Sequence, residues 1–201
     1  MTPYASICLA SASPRRCELL RQIGVSHVVQ PADLDEAERL GESPDQYVER
    51  LARSKAEWVW QSRRQAGLEP LPVLGADTTV TVDGLVLGKP ADEAELLATF
   101  ARLSGREHDV LSAVALVSKA GTDSRLSRTR VQFRVVTAEE ARTYWATGEP
   151  RDKAGGYAIQ GYGAVFIEHI AGSYSGVMGL PLAETAELLI AAGVSVWHPE
   201  A

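Results

Sequence analysis

The chain has 201 residues, of which 45% are hydrophobic and 23% are charged, a balance typical of a globular protein with its own core. Its formal net charge of −6 excludes the broad positive surface of a nucleic-acid-binding protein, so phosphate binding would require cations gathered locally. The longest apolar runs are too short to span a membrane, and the four histidines match no zinc spacing.

The N-terminus lacks the basic segment of a signal peptide. Without secretion, Cys8 and Cys17 are interpreted as free thiols of a reducing compartment. We therefore expect a single domain over residues 1–201, located in the cytoplasm, with no nucleic-acid or membrane partner.

Capping residues and turn signals divide the chain into strands and helices. Ser13 is a suitable N-cap before Pro14, and Gly24 ends the first helix. Asp83 and Gly84 form the strongest short signal for a hairpin. The predicted strands cover 5–10, 25–30, 71–75, 79–82, 85–87, 108–119, 124–136 and 164–170. The predicted helices cover 14–23, 43–61, 92–103, 137–148 and 181–192.

Two helix starts carry a capping box, in which the N-cap side chain and the third helical residue cap each other's backbone N–H. They are Ser43 with Gln46, and Thr137 with Glu140. The overall order β-α-β-α-β-β-α-β-β-α-β-α predicts a mixed α/β fold, not a simple doubly wound one.

The start of the first helix is a candidate anion site. Ser11 lies in the turn before it, and Arg15 and Arg16 lie in its first turn, where free backbone N–H groups already favour an anion. A positive charge at that end does not interact favourably with the helix dipole. This suggests that the two arginines bind a phosphate. The alternative is a solvated pair of surface arginines.

Lys55 falls on the apolar stripe of the second helix, the face expected to be buried. A lysine in that position either extends its ammonium to solvent or reaches a fixed anion. The sequence leaves both interpretations open.

Asp77 follows an apolar strand, and a carboxylate at a strand end is a common position for a site in α/β proteins. With a second acid from the segment 33–36, it could hold a divalent ion suited to phosphoryl chemistry. The alternatives are that Asp77 begins a turn and that the acidic segment is a solvated connection.

Two further segments are candidates for ligand contact. Lys89 precedes a proline that fixes the backbone as the chain leaves the hairpin, although it could also be an exposed lysine. The glycine-rich segment 151–163 allows close approach to a ligand, and Gln160 within it offers a donor and an acceptor for a base edge. A purely structural glycine loop is the alternative.

Taken in order, these segments closely resemble the Maf family of nucleotide pyrophosphatases, over about residues 5–192. The matching segments are LASASPRR (9–16), LDE (34–36), LARSKA (51–56), GADTTV (75–80), GKP (88–90), GEPRDKAGGYAIQG (148–161) and SYSGVMGLPL (173–182).

The resemblance implies an elongated, two-lobed α/β fold with a twisted mixed sheet and flanking helices, related to the inosine-triphosphate pyrophosphatases. It implies a homodimer that uses a divalent metal, magnesium or manganese, to hydrolyse a nucleoside triphosphate to the monophosphate and pyrophosphate. Asp77 is then the general base or a metal-anchoring carboxylate, and Glu36 the second metal-side acid. The implied phosphate ligands are Ser11, Arg15, Arg16, Lys55 and Lys89.

Three positions are associated with substrate choice in this family, which has a dTTP/UTP branch and a 7-methyl-GTP branch. Arg15, Thr78 and Gln160 match the pyrimidine branch. A methylated guanine is cationic and favours an aromatic face and an acid, whereas a neutral pyrimidine edge suits an amide. The resemblance therefore implies hydrolysis of dTTP and UTP, and of modified pyrimidine triphosphates. The alternatives are a 7-methyl-GTP-type pyrophosphatase and a nucleotide-binding regulator of septum formation and cell division.

Overall fold

The computed structural model describes residues 6–197 and shows a mixed α/β architecture, as the sequence predicts. Ala5, the predicted start of the first strand, lies outside the described residues. The beginning of the N-terminal segment, which we expect not to be a signal peptide, also lies outside them. The strands are β1 (Ile7–Leu9), β2 (His27–Val29), β3 (Val73–Val82), β4 (Leu85–Leu87), β5 (Glu107–Ser118), β6 (Gly121–Phe133) and β7 (Ile167–Ala171). The α-helices are α1 (Pro14–Gln22), α2 (Pro44–Gln65), α3 (Glu93–Leu103), α4 (Ala138–Ala146), α5 (Tyr174–Met178) and α6 (Leu182–Ala191).

All the strands belong to one seven-stranded sheet in the order β2-β1-β3-β5-β6-β7, with β4 paired to β3. The pairs β1–β2 and β1–β3 are parallel, and the other pairs are antiparallel. The sheet is therefore mixed, with helices flanking it, which confirms the predicted fold class. Within residues 6–197, no helix has both the length and the apolar character needed to cross a membrane.

Most of the predicted helix signals are confirmed. Both capping boxes form, and Gly24 adopts a positive φ of 67° just after α1, where a side chain would be strained. Ser13 occupies the N-cap of α1, but its side chain makes no capping hydrogen bond. Cys8 and Cys17 are free and buried.

The prediction that Asp77 ends a strand is wrong. The predicted strands 71–75 and 79–82 are one continuous strand, β3, with Asp77 in its middle, where it pairs with Ala113 of β5. The β-branched residues that follow keep the chain extended, so the polar group at 77–79 does not interrupt the strand.

The two long edges of β3 differ, and this difference opens the sheet. On one edge β3 pairs with β5 from Val73 to Thr81. On the other, β1 reaches only Leu74, and β4 joins only at Val80. The residues between them, 75–79, therefore face a break in the sheet, and Asp77 lies at its centre.

Two other predictions need correction near the C-terminus. The strand predicted over 164–170 begins at Ile167, because Tyr162–Phe166 forms a 3-10 turn. The helix α5, which contains Gly176 and ends at Gly179, was not predicted, since five residues are too few to show a periodic pattern.

The buried apolar side chains form separate clusters on either side of the break. One cluster packs α1 and α6 against the ends of β1 and β3, with members including Leu9, Leu20, Leu74, Leu180 and Leu189. A second packs α3 and α4 against β6, with members including Leu96, Phe100, Phe133, Tyr144 and Phe166. A third packs α2 on the sheet, with members including Val48, Ala52, Ala56, Val59 and Leu111.

Candidate active site

A cleft opens at the break beside β3. Its walls come from the turn before α1, the middle of β3, the exit of the β3–β4 hairpin and the glycine-rich segment that follows α4. Of the residues predicted for the site, the cleft is lined by Ser11, Arg15, Arg16, Glu36, Lys55, Asp77, Thr78 and Lys89. The fold therefore brings together side chains that are up to 78 positions apart in the sequence, from 11 to 89.

The centre of the cleft is an ion-paired triad. The Lys55 ammonium donates to Asp77 Oδ1 at 2.7 Å and contacts Glu36 Oε1 at 2.8 Å. The side chains of Lys55 and Asp77 are each 11% exposed, whereas that of Glu36 is 50% exposed. Lys55 therefore does not extend into solvent. It lies between the two acids that the family resemblance assigns to the metal.

Gly75 sets how closely α2 approaches β3. A Cβ on Gly75 would lie 2.2 Å from the carbonyl oxygen of Ala52 and 2.9 Å from the Cβ of Ala56. Side chains alternate along a strand, so Gly75 and Asp77 point to the same face. The missing side chain at Gly75 therefore allows the α2 backbone to approach the strand where Lys55 meets Asp77.

Tyr47 and Arg50, which sequence reasoning missed, hold the acidic segment against the cleft. The Tyr47 hydroxyl donates to the carbonyl oxygen of Glu36 at 3.1 Å. Arg50 donates to the carboxylate of Glu42 at 2.7 Å and to the carbonyl oxygen of Ala37 at 3.0 Å. Both lie on α2, three positions apart and therefore on neighbouring parts of its surface, but no local signal in the sequence points to their contacts with the acidic segment.

Arg16 is held in place by protein groups. Its Nε donates to the carbonyl oxygen of Gly179 at 2.8 Å, and its Nη1 donates to Ser11 Oγ at 2.9 Å. Burial lowers the pKa of the Arg16 guanidinium, an effect that the nearby Asp77 opposes. Arg16 therefore joins the turn before α1 to the end of α5 and brings a positive charge near Asp77.

Thr78 belongs to a hydroxyl chain on the opposite face of β3. Ser112 Oγ donates to the carbonyl oxygen of Gly176 at 2.6 Å, and Thr78 Oγ1 lies 2.8 Å from Ser112 Oγ. Since the Ser112 hydrogen is already used, the Thr78 hydroxyl donates to Ser112. The remaining lone pairs of Thr78 are then available as acceptors in the cleft.

The glycine-rich segment forms one wall, and it is tied to the hairpin exit that carries Lys89. Gly155 N donates to the carbonyl oxygen of Gly88 at 3.0 Å. Gly155 and Gly156 have φ values of 67° and 70°, and an added Cβ on either would clash with Val80 or Leu96. Gly155 and Gly156 are therefore required for close packing. For these two residues, the alternative of a structural glycine loop applies.

Gln160 lies outside this arrangement. It is exposed and is absent from the cleft lining, whereas Lys153 of the same segment lines the cleft. Lys153 was visible in the sequence as part of the glycine-rich segment, but nothing local distinguishes it from a solvated lysine.

Asp77 has the electrostatic character of a base. Burial raises the pKa of its carboxyl group above the ordinary value of 3.8, with Lys55 and Arg16 opposing that effect. A carboxylate with a raised pKa accepts a proton more readily than an ordinary one.

The donor set for a metal is small. Among residues 6–197, no group of three or more His, Cys, Asp or Glu side chains is arranged to hold a metal ion. Glu36 and Asp77 nevertheless share one cation, the Lys55 ammonium. Magnesium in phosphate sites is commonly held by one or two carboxylates together with substrate oxygens and waters, and this pair fits that pattern.

Comparison with known proteins places the chain in a family. The family model described as "Maf-like protein" matches residues 6–192. A protein of Methylobacillus flagellatus named dTTP/UTP pyrophosphatase is 53% identical over 190 residues, which cover 94% of each chain. A protein of Nitrosomonas europaea with the same name is 50% identical over 206 residues, covering 98% of this chain and all of that one.

Among solved structures, the chain is similar to the Staphylococcus aureus Ham1 protein, with 13% identity and a TM-score of 0.42. The likeness covers 81% of this chain and 80% of that one. The family match over residues 6–192, with relatives about half identical along nearly their whole length, shows that the chain belongs to the Maf family.

Proposed function

We propose that the chain hydrolyses dTTP and UTP to the monophosphate and pyrophosphate. The observation that carries this proposal is the Glu36–Lys55–Asp77 triad in a cleft that also gathers Ser11, Arg15, Arg16 and Lys89. The names of the relatives from Methylobacillus flagellatus and Nitrosomonas europaea support the substrate.

In this mechanism Asp77 accepts the proton of the water that attacks the α-phosphorus. Its burial and raised pKa suit that role. The cations that line the cleft offset the negative charge that develops on the leaving pyrophosphate. Arg16 acts mainly by holding the turn at Ser11 and Gly179, because its donors are already directed to those groups.

Glu36 and Asp77 would hold the divalent cation, magnesium or manganese. When bound, such an ion neutralises phosphate charge. Lys55 already bonds to both acids, and its positive charge there would offset the charge of the substrate phosphates.

The pyrimidine preference rests on Arg15, Thr78 and Gln160. Thr78 is the member best supported by the contacts, since its free lone pairs suit the N3–H donor of uracil or thymine. Gln160 lies outside the cleft lining, so its part in base recognition remains a prediction. A homodimer in the cytoplasm is likewise proposed from the family resemblance, and sedimentation measurements test the dimer.

The function is tested by measuring pyrophosphate release from a panel of nucleoside triphosphates with magnesium or manganese. The expected result is that dTTP and UTP are preferred, and that Asp77→Asn abolishes release without unfolding the protein. A preference for 7-methyl-GTP or a purine would overturn the proposal. Retention of a cell-division effect by Asp77→Asn would assign that effect to a role separate from hydrolysis.

A further inference from the structure

Ser112 is a buried serine behind the cleft, and the proposed mechanism gives it no role. It lies on β5, where it pairs with Thr78 of β3, and the two hydroxyl oxygens are 2.8 Å apart. Ser112 is only 1% exposed, whereas Thr78 is half-buried and lines the cleft. Ser112 is therefore shielded from solvent but touches a side chain that a ligand in the cleft can reach.

The direction of the hydrogen bonds between these hydroxyls is set by a backbone carbonyl. The oxygen of Gly176 can only accept, and it accepts from Ser112 Oγ at 2.6 Å and from the N–H of Gly179 at 2.9 Å. The single hydrogen of the Ser112 hydroxyl is thereby used, so the hydrogen of the Thr78 hydroxyl is directed to Ser112. The Thr78 oxygen consequently presents lone pairs, and no hydrogen, to the cleft.

The helix α5, which carries this carbonyl, is held by bonds on several sides. The N–H of Gly176 donates to Ser173 Oγ at 3.0 Å, and the N–H of Ser173 donates to Thr129 Oγ1 of β6 at 2.8 Å. The carbonyl oxygen of Gly179, at the end of the helix, accepts from Arg16 Nε at 2.8 Å. The Gly176 carbonyl cannot turn away from Ser112 without disturbing these bonds, so the order of donors and acceptors is fixed.

An oxygen that can only accept distinguishes the pyrimidine bases. Uracil and thymine carry an N–H at N3, which can donate to Thr78. Cytosine has a bare nitrogen at N3, so two acceptors would face each other and neither would be satisfied. A buried acceptor without a donor costs enough to weaken binding about tenfold or more.

We propose that Ser112 is a positioning residue for substrate choice. By accepting the hydrogen of Thr78, it makes the cleft select nucleotides of uracil and thymine over those of cytosine. This inference rests on the proposed function for the contact between the base and Thr78.

The test measures binding of dUMP and dCMP by calorimetry with magnesium present, because these nucleotides differ only at the base edge that includes N3. The wild type is expected to bind dUMP about tenfold more tightly or better. In Ser112→Ala the Thr78 hydroxyl is free to rotate and can donate to N3 of cytosine. Binding of dCMP should therefore strengthen about threefold or more, whereas binding of dUMP should change by no more than about twofold.

Three further variants show whether Ser112 acts through Thr78. Ser112→Thr keeps the hydroxyl and should keep the preference for dUMP. Ser112→Cys, which has a weaker hydrogen-bonding group of similar size, should reduce the preference in the same direction as Ser112→Ala. In a Thr78→Val background, Ser112→Ala should leave the ratio of the two affinities unchanged, because the hydroxyl that it orients is absent.

Ser127→Ala is the matched control and should match the wild type. Ser127 is a buried serine that pairs with Ser112 across β5 and β6 and lies outside the cleft lining. An unchanged preference in Ser112→Ala would overturn the inference. Equal weakening of both nucleotides would also overturn it, since that pattern indicates a role in stability alone.

Parallel measurement of pyrophosphate release from dUTP and dTTP separates this inference from the proposed function. If the wild type cleaves neither triphosphate but Ser112→Ala gains affinity for dCMP, the role of Ser112 stands and the proposed function falls. If the wild type cleaves both but Ser112→Ala keeps the full preference for dUMP, the proposed function stands and the role of Ser112 falls.

Discussion

At the scale of single residues, Lys55 is the cation that joins the two acids of the cleft. It contacts two carboxylates within 2.8 Å, and one of them, Asp77, is as buried as Lys55 itself. Removing one partner of a buried ion pair leaves the others uncompensated. Lys55 therefore has a structural role in the free protein as well as its proposed role at the phosphates.

Lys55→Met is expected to lower turnover about 100-fold or more, because a positive charge near the reacting phosphate is lost. It should also lower the free energy of unfolding by about 3 kcal/mol, and added magnesium should restore part of that loss by neutralising Glu36 and Asp77. Steady-state kinetics and urea unfolding with and without magnesium measure these effects. A variant with unchanged turnover would contradict the assigned contacts. Lys119→Met serves as the control, because Lys119 is an exposed lysine in the turn between β5 and β6.

At the scale of elements, the packing of α2 on β3 determines whether the triad can form. Their contact passes through Gly75, where even a single Cβ would meet the helix backbone. The glycine-rich wall depends on a different anchor, the carboxylate of Glu149. That carboxylate accepts hydrogen bonds from the Tyr144 hydroxyl and from the backbone N–H groups of Tyr162 and Gly163.

Gly75→Ala should push α2 away from the strand and separate Lys55 from Asp77. We expect a stability loss of about 1–3 kcal/mol from overpacking and a fall in turnover of about 100-fold from misplaced groups. Thermal unfolding and kinetics on the same preparation measure both. Gly88→Ala is the stability control, since a Cβ there meets nothing within 4 Å. Wild-type turnover in Gly75→Ala would show that the close approach does not matter for the site.

Glu149→Gln should loosen the glycine-rich wall. Burial raises the pKa of Glu149, but hydrogen bonds from Gly163, Tyr144 and Tyr162 outweigh that effect and lower it overall. An amide in its place turns an –NH₂ group towards at least one N–H donor, at a cost of about 1–3 kcal/mol. Amide hydrogen exchange should become faster over residues 151–163, whereas the exposed Glu139→Gln should leave it unchanged. Unaltered exchange in Glu149→Gln would show that other contacts fix the wall.

At the scale of the whole molecule, His108 makes stability depend on pH. Its Nε2 lies 2.8 Å from the Tyr157 hydroxyl, and its Nδ1 is buried without a hydrogen-bond partner among the described residues. Burial lowers the pKa of His108 from 6.5 to about 4. The unfolded chain therefore binds a proton more readily than the folded one between these two values.

The contribution of His108 to stability is thus complete above about pH 6.5 and is lost as the pH falls towards 4. We expect it to lower the free energy of unfolding by about 3 kcal/mol between pH 7 and pH 4. Urea unfolding of the wild type and of His108→Phe gives the free energy of unfolding at each pH in this range. The difference between the two proteins in the slope of that free energy against pH isolates the effect. Equal slopes in the two proteins would show that His108 is not the titrating group.

The sequence by itself determined most of the local elements and the family. Capping boxes, the Asp83-Gly84 hairpin and the apolar stripe of α2 depend on neighbours a few positions apart, and the structure confirms them. The ordered segments from Leu9 to Leu182 identified the family. All these signals act over short distances along the chain, which is why a single sequence displays them.

Only the tertiary structure decided where the predicted side chains meet. It placed Asp77 in the middle of β3 beside a break in the sheet, Lys55 between two acids, Gln160 outside the cleft lining and Lys153 within it. Each of these outcomes depends on which strands pair and how closely α2 packs on β3. Those distances are set by residues far apart in the sequence, so no local pattern could reveal them.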